Sequence, residues 1–227
     1  MTSSDAVRSA RRSANRALCY LLVLNALVLI GTLIGAWLRP PTGRSHFGEE
    51  TVITLLSAAL LLAVSVLCFM TYRAARVSRG RATFWLLAAM GTLFLVCDEL
   101  FLIHENADRW IHTALDLRET PLTDSIDDAL VAAYLLGALV VMGYYRHYLT
   151  KFRPALPYFI GGFVFAGLMV VLDVTSNNQW TFSSALLQIV LSDLEEVCKV
   201  TAGACFVAGA YCCYKLVKLS AAAGDGN

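Results

Sequence analysis

The chain has 227 residues, 58% of them hydrophobic and only 15% charged, with a formal net charge of +1. A water-soluble domain of this size needs far more polar surface than that. Balanced charge, no basic run interleaved with aromatics and no glycine-rich phosphate loop together speak against nucleic acid as a partner.

The apolar residues fall into blocks near the roughly 20 residues that cross a bilayer as a helix. The first, about 18–38, follows Arg8, Arg11, Arg12 and Arg16. It is longer than a signal-peptide core and lacks a small-x-small cleavage site, so it reads as a retained helix. The second, about 51–72, begins after Glu49 and Glu50. The third, about 84–104, starts beyond Arg81 and ends in "CDELFLIHEN". Residues 105–128 then form an extracytoplasmic loop in which Trp110 marks an interfacial amphipathic segment. The fourth block is about 129–147, the fifth about 157–175 and the sixth about 193–214, followed by a disordered tail at 219–227. The expected fold is all-α: one membrane domain of six transmembrane helices.

Counting Lys and Arg orients it. With the N-terminus cytoplasmic, thirteen of the eighteen basic residues lie inside and four (Arg39, Arg44, Arg109 and Arg118) outside, leaving Lys199 within the last span. Both termini are therefore expected in the cytoplasm, in a plasma (inner) membrane. Fifteen of the seventeen acids fall at the opposite, extracytoplasmic end. The seven cysteines lie in spans or at their edges, so no extracellular disulfide framework is offered.

Counting about twenty residues from each basic end puts Asp98, Glu99, Glu195 and Glu196 in one layer, about a turn below the outer surface. At about 100° per residue, Asp98, His104, Glu105, Asp108 and His112 share about one third of a helix that continues past 104. Gly91 lies on the same stripe. Asp173 ends the fifth span at this level. In the sixth, Glu195, Cys198, Ala202, Cys205, Gly209 and Cys212 form a small-residue packing stripe, with Lys199 in reach of Glu195 and Glu196. Gly31-x-x-x-Gly35 and Ala129-x-x-x-Ala133-x-x-x-Gly137 are further close-packing signals, suited to helix contacts or to a homo-oligomer.

Plain structural roles compete. Ser192-x-x-Glu195 fits a capping box, and Glu49, Glu50, Asp127 and Asp128 suit helix N-termini. Glu196 or Glu195 with Lys199 fits a structural ion pair, and His46 and His147 fit ordinary loop positions. Asp98 and Asp173 resist such roles, because an acid inside a span marks function by default.

Carboxylates this dense need protons, Lys199 or a metal. The leading expectation is a metal-dependent enzyme acting on membrane lipid. Asp98, His104, Glu105, His112, Asp173 and Glu195 are the candidate ligands for a divalent metal (zinc, manganese, iron or calcium). Glu99, Glu196 and Lys199 are the candidate acid–base residues. The alternatives are a proton- or cation-binding transporter or sensor, and a structural or assembly protein. Neither span three nor span six carries acid–base stepping stones across its inner half, which suits a site open from one side.

Overall fold

The computed structural model describes residues 3–37, 52–77, 82–116, 126–177 and 185–224. Among them are eight α-helices, one 3₁₀ segment and no strand. The helices are α1 (Ser3–Trp37), α2 (Val52–Val77), α3 (Thr83–Phe101), α4 (Ile103–Leu115), α5 (Ile126–Tyr144), α6 (Arg146–Leu149), α7 (Leu156–Asn177) and α8 (Ala185–Gly224). The 3₁₀ segment, Thr150–Ala155, joins α6 to α7. Among the described residues, Pro154 stands in the 3₁₀ segment and Pro157 in the first turn of α7, where a missing N–H costs least.

Five segments are long and apolar enough to cross a bilayer: Ser4–Ile34, Val52–Ala75, Thr83–Phe101, Arg146–Thr175 and Leu187–Ala222. Ala129–Tyr144 of α5 is apolar but shorter. The protein is an all-α polytopic membrane bundle.

Several boundaries differ from the sequence expectation. α3 stops at Phe101 rather than 104, and residues 103–115 form a separate helix within the expected loop. α8 begins at Ala185, so Ser192 lies inside the helix and caps nothing. α8 also runs on to Gly224, taking 219–224 of the expected tail into the helix. His46, Glu49, Glu50, Arg39, Arg44, Arg118 and Asp124 lie outside the described residues, as do loop residues 117–125 and tail residues 225–227.

The last helix is the hub. α8 is the most buried span and α1 the least, with α1, α2 and α7 packed directly on α8 and α3 packed on α2. Small side chains explain the closeness. Ala204, Ala208, Ala210, Cys212 and Cys213 of α8 are fully enclosed. A Cβ on Gly203 would meet Leu60 of α2 at 3.1 Å, and one on Gly209 would meet Phe159 of α7 at 3.1 Å. Without a hydrophobic driving force between helices, such packing is a main source of cohesion in lipid. Gly31, Gly91 and Gly137 behave differently: nothing lies within 4 Å of a Cβ placed there. Among the described residues, α1, α3 and α5 are open at these three glycines.

Polar ties fix the register. Asn25 Nδ2 of α1 donates to the Val200 carbonyl of α8 (2.9 Å), and Ser65 Oγ of α2 donates to the Ala89 carbonyl of α3 (2.8 Å). At the basic end, Trp85 Nε1 donates to the Tyr148 hydroxyl (3.0 Å) within a cluster of Phe84, Trp85, Tyr145, Tyr148 and Phe152. The Tyr158 hydroxyl of α7 bonds Asn15 of α1 there as well. With that end tied by aromatics, the other carries the acids.

Candidate functional site

Two ionisable clusters occupy the acidic end. The first is built by a break in the chain. Leu102 adopts a left-handed backbone (φ 50°, ψ 49°) between α3 and α4, a conformation that costs a non-glycine residue about 1–2 kcal/mol. Asp98, only 5% exposed, offsets that cost. Its Oδ1 accepts the backbone N–H of His104 at 3.0 Å, and its Oδ2 lies 2.8 Å from His104 Nδ1. The side chain thus supplies the cap that the N-terminus of α4 lacks from Leu102. A carboxylate oxygen accepts, so Nδ1 donates to Asp98.

The surroundings favour the imidazolium form of His104. The hydrogen bond to Asp98 raises its pKa most. Burial opposes, while the charges of Asp98, Glu105 and Asp127 raise it further. The Tyr134 hydroxyl of α5 acts on the same Asp98 carboxylate, and its ring packs edge-on against Phe94 of α3 at 5.4 Å. Composition and spacing in α3 and α4 gave no hint of Tyr134. It stands seven residues after Asp127, on the same face of α5, and that interval is the signal in the sequence.

The second cluster joins α3 to α8. Lys199 Nζ lies 2.8 Å from Glu196 Oε1 and 3.6 Å from Glu99 Oε1. Glu196 is 8% exposed. Asp173 of α7 acts electrostatically on Glu196, and Glu195 acts on Lys199. Two carboxylates therefore share one ammonium, with Asp173 and Glu195 near enough to act on the pair. Glu196 Oε2 and Glu99 Oε1 are buried without a hydrogen-bond donor, a costly state for charged oxygens in an apolar setting.

The remaining sequence candidates are distributed along α4. Glu105 Oε2 lies 3.7 Å from Arg109 Nη2, one turn on. His112 Nδ1 lies 3.0 Å from Asp108 Oδ1, but its hydrogen-bonding contact is with the Asp108 carbonyl at 3.1 Å. So Glu99, Glu196 and Lys199 come together, with Asp173 and Glu195 beside them, whereas Asp98 and His104 form a separate pair. Among the described residues no group of three or more His, Cys, Asp or Glu is placed to hold a metal ion. All seven cysteines are free thiols.

Fold and site together define a helical membrane bundle with two buried ion-pair clusters at one end. The chain belongs to the family described as a domain of unknown function, DUF8692, whose pattern it matches over residues 17–213. No curated protein and no solved structure matches it.

Proposed function

We propose that this protein is a proton-binding membrane protein, a sensor or transporter, whose proton is held by the carboxylates around Lys199. The carrying observation is the shared ammonium: Lys199 serves both Glu99 and Glu196, and one oxygen of each acid lacks a donor. A proton on either carboxyl turns an acceptor into a donor and removes one of the excess negative charges. With one ammonium between two carboxylates, an ionised oxygen left without a donor at this depth costs free energy that a proton removes.

Orientation follows from the basic residues. Arg8, Arg11, Arg12 and Arg16 of α1 and Lys215 and Lys218 of α8 sit at the other end, which we assign to the cytoplasm by the positive-inside rule. The proton site then faces the extracytoplasmic side, with α5 taken as a sixth span. Toward the cytoplasmic end, the buried hydroxyls of Ser65 and Thr71 are spent on the carbonyls of Ala89 and Leu67. Among the described residues no Asp, Glu, His or Lys lies within residues 83–97 of α3 or 200–214 of α8 to pass a proton inward, and loading from one side favours a sensor over a carrier. A metal-dependent lipid enzyme, the other reading of the same residues, needs several ligands around one ion, and the described residues do not gather them.

The test is thermal stability of purified protein across the acidic and neutral pH range, with and without added zinc, manganese or calcium, beside Glu196→Gln. Stability that varies with pH in the native protein, varies less in the variant and ignores the metals supports proton binding. A metal-dependent gain that vanishes in Glu196→Gln would overturn it in favour of a metal site.

A further inference from the structure

α5 and α7 pack on each other far less than α7 and α8 do, and an apolar groove of about 330 Å³ runs between them. Leu139 and Met142 of α5 form one wall, and Leu156, Ile160 and Val164 of α7 form the other. Phe159 and Phe163 make the floor, backed by Phe206 of α8 with ring centres 6.5 and 5.2 Å away. A floor of packed aromatics cannot rise to fill the space. Leu139, Leu156, Ile160 and Val164 are each about half exposed, so the groove opens sideways, toward lipid. From Leu156 to Val164 it follows α7 for about 12 Å, close to the roughly 15 Å of hydrocarbon in one leaflet.

At the basic end of the molecule the groove changes chemistry. Arg146 follows Leu139 by seven residues and Met142 by four, so it continues the α5 wall. Arg153 precedes Leu156 by three residues, one 3₁₀ turn, and continues the α7 wall. Arg146, Lys151 and Arg153 are all exposed, and among the described residues none of them takes part in an ion pair. The connection from Arg146 to Ala155 carries no acid. We infer that the groove holds one acyl chain of an anionic phospholipid whose phosphate is bound by Arg146 and Arg153. Charge complementarity selects this occupant. Guanidinium forks match phosphate oxygens, and basic residues at the membrane surface favour anionic over zwitterionic lipid. An apolar segment alone would leave the arginines unanswered, and a soluble anion would leave the groove empty. The assignment stands apart from the proton site, which lies at the other end of the bundle.

Native mass spectrometry of the full-length protein, released from phosphatidylcholine nanodiscs containing phosphatidylglycerol, reads the bound lipid directly. The expected result is a single retained phosphatidylglycerol, favoured over phosphatidylcholine by about tenfold. Arg146→Gln/Arg153→Gln should abolish that preference. Arg12→Gln/Arg16→Gln removes the same charge from exposed positions on α1 and should leave it intact. Ile160→Trp fills the groove without changing charge and should displace the lipid. All the substituted side chains are exposed, so the fold does not depend on them. An equal loss in both arginine variants would reduce the effect to overall charge and overturn the site. Lipid retained undiminished in Ile160→Trp would overturn the groove as its seat. Displacement by inorganic phosphate would give the arginines to a soluble anion, and a lipid-free dimer broken by Ile160→Trp would give the groove to a second copy; either overturns the assignment.

Discussion

Asp98 grips His104 twice, by the backbone N–H at 3.0 Å and the ring Nδ1 at 2.8 Å. The two residues are six apart, a spacing at which a continuous helix would set them about 120° from each other. The left-handed Leu102 folds the chain back so that the carboxylate of one helix caps the next.

Asp98→Ala removes that cap and one charged hydrogen bond together. The expected loss is about 2–4 kcal/mol, combining the usual cost of an N-cap with that of a charge-assisted bond. Asp98→Asn should lose less, because its amide oxygen still accepts the His104 N–H. Unfolding of the two variants in detergent, followed by helical circular dichroism, checks the order.

The same pair sets a pH dependence. His104 is held above its ordinary pKa of 6.5, chiefly by Asp98. A group whose folded pKa is raised stabilises fully below its unfolded pKa and loses that stabilisation as pH rises through the folded value. The stability difference between native protein and His104→Gln should therefore be flat below about 6.5 and shrink at higher pH. Melting temperatures of both proteins against pH read this directly. A difference that grows with pH would contradict the pairing.

Lys199→Met leaves Glu99 and Glu196 buried without their cation. Breaking a buried pair from one side typically costs about 3–5 kcal/mol. Lys199→Met/Glu196→Gln should recover part of that loss, since fewer charges are stranded. A double-mutant cycle on unfolding free energies measures the coupling. Additive losses would mean that the two groups do not interact.

Glycine positions separate packed from open faces. A Cβ on Gly162 would come within 2.5 Å of the Phe206 ring, so Gly162→Ala should cost about 1–3 kcal/mol by overpacking α7 against α8. Gly91→Ala meets nothing and should be neutral or stabilising by up to about 1 kcal/mol through helix propensity. Thermal melts of the two variants suffice.

These contrasts show what the sequence could reveal. Apolar block length exposed the spans because lipid demands it, and the crowding of acids at one end showed in the charge pattern alone. Small-residue stripes were ambiguous: the one on α8 is packed, while Gly31, Gly91 and Gly137 lie open, and spacing does not say whether a neighbour is present. The break at Leu102 was hidden because it uses neither glycine nor proline, the usual marks of a left-handed turn. A straight helix through it places Asp98, Glu105 and His112 on one stripe. The bent chain instead gives Asp98 to His104 and leaves Glu105 and His112 to partners on α4. Glu99 stood off that stripe, yet it is the α3 acid that reaches Lys199.

The most direct measurement is infrared spectroscopy of the carboxyl groups in membranes near neutral pH, comparing native protein with Glu99→Gln and Glu196→Gln. The proposal predicts a protonated-carboxyl stretch in the native protein that is lost or shifted in one or both variants. A native spectrum with every carboxyl ionised under those conditions would contradict it, leaving the cluster around Lys199 as a structural ion pair.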